Sequence, residues 1–218
     1  LTFATAPHRV YAAGALVAQD GTFVGEIAPE MVEVAALADE LRASVKLPKL
    51  SLDVFDYAFK PGEAVIDVVP GKAITGMARP ESAEGLRRIM LIERHGRGVS
   101  LQAEGADGDG PAGLGLVGKH IGRGWVRGFT ITGGAIASTI GHDSHNVCVV
   151  GDSAADMMAA VEAVGQGGHV LVRNGEVVAR IPLALGGLMS EGTAEDVAAQ
   201  HDDFMVKARA MGIEPPLD

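Results

Sequence analysis

Three features of this 218-residue chain predict an α+β fold, with a largely antiparallel or mixed sheet flanked by helices. Two apolar runs, residues 169–173 and 176–181, flank Asn174-Gly175, the dipeptide that best favours a type I′ hairpin turn. Helical periodicity is confined to three separated stretches, so strands follow strands without intervening crossover helices. Short turn signals between neighbouring strands favour antiparallel pairing over a doubly wound parallel sheet.

The elements follow in order. Leu16-Val17-Ala18 and Thr22-Phe23-Val24 surround Asp20-Gly21 and read as a hairpin at a sheet edge. Pro29 stands at a first helical position, and Met31, Val34, Ala35, Ala38, Leu41 and Val45 recur at helical spacing until Pro48. Residues 64–69 and 87–95 read as strands, the second charged at both ends. Residues 102–115 are rich in glycine and acid and read as a surface loop. The glycine clusters at 113–118 and 122–128 also read as loops, mobile or lying against other backbone. Ser153 with Asp156 caps a helix running to Gly165, and Thr193 with Asp196 caps a last helix running to Met211, with Gly212 as its stop.

Composition excludes several classes. A formal net charge of −10 argues against nucleic acid, whose binders carry a basic patch. No apolar run reaches the ~18 residues that would suggest a membrane span, and no signal peptide is visible at the start. The single cysteine, Cys148, lies in an apolar strand, reads as core, and fits a reducing cytoplasm. The chain opens at Leu1 without methionine, which points to a piece of a longer protein. No GxGxxG stands at a strand-to-helix turn, and GxxxxGK[ST], HExxH, GxSxG and His-x-His are all absent.

The chemistry concentrates in residues 136–151, where two apolar runs flank His142, Asp143, Ser144, His145 and Asn146. Unpaired polar groups are costly to bury, so this segment must leave the core at the mouth of a sheet. Imidazoles three apart with a carboxylate between them can shuttle protons or ligate a metal, though further local ligands are missing. The plainer reading is a hydrogen-bonded loop in which Asp143 and Asn146 satisfy backbone amides. A second polar group, Glu93-Arg94-His95, ends a strand; Glu93 or His95 orients a substrate or pairs with His142, or else the strand end is simply solvated. Lys119, His120 and Arg123 form a third, either an anion-contacting flap or a solvated loop. Met157, Met158 and Met189 read as packing, in the core or at an interface. The apolar segment 183–189 reads as core or as an interface.

The runs GGAIASTIGHDSHNVCVVG and DMMAAVEAVGQGGHVLVRNGEVVARIPLALGGLMS resemble the C-terminal domain of bacterial adenine deaminases. IMLIERHGRG and GLVGKHIGRGWVRGF resemble the same domain, and VYAAGALVAQDG looks like the closing hairpin of the small β-sandwich domain that precedes it. The resemblance implies three parts: residues 1–27 as that hairpin remnant, 28–60 as a helical linker, and 61–218 as the C-terminal domain. It also implies an amidohydrolase-superfamily enzyme of purine salvage that hydrolyses adenine, or a related aminopurine, to hypoxanthine and ammonia.

In that family a binuclear manganese or iron centre sits in a (β/α)₈ barrel and activates water. None of that barrel can be matched here, so the metal ligands are expected outside this chain, and the chain alone is expected to be inactive. The expected partners are the protein's own N-terminal barrel domain, the purine and, through the apolar segment, a second copy in a homodimer; the expected location is the cytoplasm. His142, Asp143 and His145 are expected to close the active site or to tune the metal-bound water without ligating the metal. Ser144, Asn146, Glu93 and His95 are the candidate substrate contacts. The alternative is a stand-alone binding or assembly domain that kept the fold and lost the chemistry.

Overall fold

A computed structural model describes residues 7–25, 35–69, 74–96, 108–109, 115–117, 120–141 and 144–213. The chain divides into two compact units, Leu1–Ala35 and Ala36–Asp218.

The first unit holds a three-stranded antiparallel sheet of β1 (Arg9–Ala12), β2 (Ala15–Gln19) and β3 (Thr22–Phe23). The expected turn at Asp20-Gly21 joins β2 to β3, with φ of 52° and 79°. The hairpin therefore gains a strand that the sequence reading lacked, because Ala13-Gly14 turns β1 back onto β2 with φ of 51° and 83°.

The second unit is α+β, as expected. It contains α1 (Ala35–Arg42, most of it in this unit), α2 (Leu52–Phe55), β4 (Val65–Val68), β5 (Thr75–Ala78), β6 (Arg87–Ile92), β7 (Gly108–Asp109), β8 (Gly115–Val117) and β9 (Ile121–Arg127). It continues through β10 (Ala135–Ser138), β11 (Val147–Gly151), α3 (Ala154–Val164), β12 (Gly168–Arg173), β13 (Glu176–Pro182) and α4 (Ala194–Ala210). Among the described residues the strands form one ten-stranded sheet, ordered β13-β12-β10-β11-β6-β9-β4-β5, with the β7–β8 pair attached to β9. All pairs are antiparallel except β4 with β9. No helix among the described residues is long and apolar enough to cross a membrane.

The alternation of side chains along each strand sorts the core. Met90, Ile92, Val147, Val149, Val170 and Val172 turn to one face and bury against α3 and Phe55 of α2. Leu171, Ala179 and Ile181 turn to the other face and bury against Phe204 and Ala208 of α4 and against Met211, which caps it. Both long helices start at the expected caps. The Ser153 hydroxyl accepts from the Asp156 amide, and Thr193 with Asp196 forms a full capping box.

Other expectations are corrected. Residues 122–127 are strand and not loop: Gly122 and Gly124 alternate with Ile121, Arg123 and Trp125, and the segment pairs with both β6 and β4. The first helix ends at Arg42, short of Val45, because the Leu41 carbonyl accepts from the Ser44 hydroxyl and from the Gly186 amide. Its expected start at Pro29 lies outside the described residues, as does the tail after Ile213. The glycine- and acid-rich stretch 102–115 contributes β7 and the start of β8. Met157 is fully buried and Met158 packs on the core, as expected of packing residues, whereas Met189 is 53% exposed.

Candidate functional site

Register, a non-local property, assembles the candidate site. β6 runs antiparallel to both β11 and β9, with Ile92 opposite Val147 and opposite Ile121. The residues just past Ile92 therefore emerge at the same sheet end as those just before Val147 and Ile121. Glu93-Arg94-His95, His120 and Ser144-His145-Asn146 share that end, and the Glu93 amide donates to the His120 carbonyl at 3.0 Å. Residues 139–141 leave β10 there too, and residues 167–168 lead into β12. The polar groups that are scattered through the sequence thus stand on one rim. His142, Asp143 and Lys119 lie outside the described residues.

Part of the rim is a backbone clamp. Thr139 is fully buried; its hydroxyl donates to the Gly187 carbonyl at 2.5 Å and accepts from the Gly168 amide at 2.8 Å. Arg94, 4% exposed, donates through Nη1 to the Gly186 carbonyl at 2.7 Å, and its own carbonyl accepts from the Lys46 amide. Two backbones meet here with no room for a side chain. A Cβ on Gly167 would lie 2.3 Å from the Gly187 Cα, and one on Gly187 would lie 2.0 Å from Arg94 Nη1. Burial lowers the Arg94 pKa, and its Nε has no hydrogen-bond partner among the described residues. The Arg94 guanidinium has no carboxylate partner among the described residues, and its role here is to hold the 186–187 turn. The sequence reading missed this role, because nothing local marks an arginine beside Glu93 as buried.

The other part is the segment 144–146. His145 adopts φ of 48°, a left-handed conformation that a residue with a Cβ disfavours. Its amide donates to the Gly141 carbonyl at 2.9 Å, which closes a tight turn. Ser144 is exposed, and its hydroxyl accepts from the Asn146 amide only at 3.5 Å. His145 Nδ1 and Asn146 Oδ1 are withdrawn from solvent without a hydrogen-bond partner among the described residues. The plainer reading, in which Asn146 satisfies backbone amides, therefore fails for its side-chain oxygen. Glu93 accepts from the His95 amide at 2.6 Å, and the His95 side chain is exposed beyond an isolated bridge to Lys46.

Among the described residues no three His, Cys, Asp or Glu side chains converge as metal ligands would. Cys148 is held as a neutral thiol, since burial pushes its pKa up to about 11. That suits a packing residue and not a nucleophile.

Residues 117–217 match the family model described as the adenine deaminase C-terminal domain. Full-length proteins named adenine deaminase align over much of the chain. That of Gluconobacter oxydans is 35% identical over 78% of this chain and 29% of its own length. Those of Desulforamulus reducens and Cereibacter sphaeroides are 31% and 34% identical, over 96% and 92% of this chain and 34% and 33% of their own lengths. The chain thus spans about a third of the length of the curated relatives it matches.

Proposed function

The chain belongs, through residues 117–217, to the adenine deaminase C-terminal domain family, and from that premise we propose that it serves as the C-terminal part of a hydrolase converting adenine and water to hypoxanthine and ammonia. In this reading the rim of Glu93, Ser144, His145 and Asn146 faces the purine, while the catalytic centre belongs to the remaining part of the protein. The domain boundaries of this reading are residues 1–27, 28–60 and 61–218, and the setting is the reducing cytoplasm that a lone cysteine fits. A manganese or iron centre bound to that remaining part would supply the activated water.

The observation that carries the reading is the pair of withdrawn, unpartnered atoms, His145 Nδ1 and Asn146 Oδ1. A native fold rarely leaves such atoms without a ligand or ordered partner. The purine suits them. Adenine offers an amino donor at N6 beside an acceptor at N7, and a carboxamide pairs with both, its oxygen accepting and its nitrogen donating. Asn146 would thus orient the ring by the amino group that leaves. The His145 imidazole can donate or accept a hydrogen bond at Nδ1 beside that group. Asp143 and His142, in the same loop, are proposed to help close the site over the ring. Ser144 and His95, both exposed, are proposed as outer contacts to the substrate.

The test compares this chain with the full-length deaminase that contains it, by ammonia release from adenine with manganese added. Turnover is expected only in the full-length protein. There, Asn146→Ala should raise KM about 10-fold or more, the loss expected of one bidentate base contact. Deamination by the 218-residue chain alone, or full-length Asn146→Ala and His145→Ala variants with unchanged kinetics, would overturn the reading.

A further inference from the structure

We propose that the open face of β6, β9 and β11 is the seat for an apolar ridge on the preceding, catalytic part of the adenine deaminase chain. The two faces of the large sheet are covered unequally. On the face toward α3, Met90, Ile92, Val147 and Val149 are at most 1% exposed. The residues between them turn the other way. On that second face α4 covers β12 and β13, reaching as far as Ile136 of β10. Beyond β10 the cover among the described residues stops.

What remains is a hollow of about 260 Å³, lined by Ile66, Ile89, Leu91, Cys148 and the Gly122-Arg123-Gly124 segment. Cys148, Leu91 and Gly122 are paired partners and form one cross-strand row; Ile89 and Gly124 belong to the next. Leu91, in mid-sheet, is 42% exposed.

Gly122 is the sharper clue. Glycine inside a strand costs roughly 0.5–1 kcal/mol relative to alanine, so a fold keeps it for a steric reason. Its φ is not positive, and a Cβ there would meet no atom of the described residues within 4 Å. Nothing in the described domain needs the space. A strand glycine facing open space is what close approach by another chain segment requires.

The occupant follows from the length of the relatives and from where the hollow lies. The aligned stretch is 29% of the Gluconobacter protein and 34% of the Desulforamulus protein, so about two-thirds of such a chain is available to cover the face. The row of Cys148, Leu91 and Gly122 is one pair of positions from Val147 and Ile92, where the polar rim begins. A body seated on this face also comes to stand against Glu93 and Asn146. The occupant should present one or two large apolar side chains, since the hollow is apolar and floored by two glycines. This inference rests on the reading that the chain works joined to the rest of a deaminase. The two fail separately, because the contact is read by cross-linking and the chemistry by turnover.

The test uses the full-length protein with the photo-cross-linking residue p-benzoylphenylalanine in place of Leu91. Irradiation should give an intramolecular cross-link to a peptide upstream of this chain, mapped by mass spectrometry. A cross-link between two copies, seen as a doubled mass on a denaturing gel, would overturn the proposal in favour of a dimer face. Absence of any cross-link would overturn it in favour of a bare face. A second variant, Gly122→Leu, fills the hollow without touching the domain's described packing. It should leave the melting of this domain unchanged while limited proteolysis separates it from the rest of the protein several-fold faster. Unchanged proteolysis would contradict the proposal independently of the first variant.

Discussion

Two segments at the same end of the sheet are built on opposite rules. At the 186–187 turn, the carbonyls of Gly186 and Gly187 are both taken, by Arg94 and by Thr139, and the turn packs against Gly167. At 144–146, two withdrawn polar atoms have no partner among the described residues, and a histidine occupies a conformation that usually goes to glycine. The first arrangement is closed on itself, and substitution there should cost stability. The second leaves polar capacity unused, and substitution there should cost function. Strain at a site whose polar atoms point to no internal partner is the kind that folds keep for ligands.

The largest expected effect lies in the closed segment. Gly168 has φ of 118°, and a Cβ there would fall 1.9 Å from the Ile181 carbonyl oxygen. Gly168→Ala must push β12 off β13, and its cost should be about 4 kcal/mol or more, read from the urea midpoint of this chain. A loss below ~1 kcal/mol would mean that the segment yields and is not closed. Thr139→Val keeps the shape but strips the hydroxyl from two buried backbone groups, Gly187 C=O and Gly168 N–H. Each unsatisfied group costs about 1–3 kcal/mol, and the midpoint should fall accordingly.

In the open segment the sign should reverse. His145→Gly removes the left-handed strain and an unsatisfied nitrogen, so stability should rise by about 1 kcal/mol, while adenine turnover in the full-length protein falls. A variant that loses both would place His145 with the closed segment.

The smallest effect is a pH dependence on the α4 side. His169 packs edge-on against Phe204 with ring centroids 6.0 Å apart. Burial, and then the charge of His201, lowers its pKa below the ordinary 6.5. The unfolded chain therefore binds the proton more readily, and stability rises with pH in this window. The contribution is complete above the unfolded value and is lost as pH falls through the folded one. Denaturation midpoints at pH 8 and pH 5 should differ less in His169→Gln than in the parent, and an unchanged difference would assign the effect elsewhere.

The legible parts of the fold were those that local chemistry writes. Asn174-Gly175, Asp20-Gly21 and the caps at Ser153 and Thr193 each need only a few neighbouring residues, and each was found where expected. The third strand of the small sheet escaped, since Ala13-Gly14 is a weak turn signal. β5 escaped because Thr75-Gly76-Met77-Ala78 is a largely exposed edge strand, with no buried face to set an alternation. β9 was mistaken for loop because its glycines interrupt the alternation and Gly122 faces open space, which sequence alone cannot distinguish from a turn. For the site, the loaded loop was visible as a knot of polar residues between apolar runs. Its meeting with Glu93 and His120 depends on the register of β6 against β11 and β9, which no local pattern encodes. The same holds for Arg94, whose burial depends on Gly186, 92 residues away.

The most direct measurement is steady-state deamination of adenine by the full-length protein carrying Asn146→Ala, with its melting temperature recorded beside the parent's. The account predicts a raised KM with melting essentially unchanged, because the side-chain oxygen of Asn146 has no partner to lose among the described residues. Lowered melting with an unchanged KM would contradict it, and would make the 144–146 segment part of the scaffold.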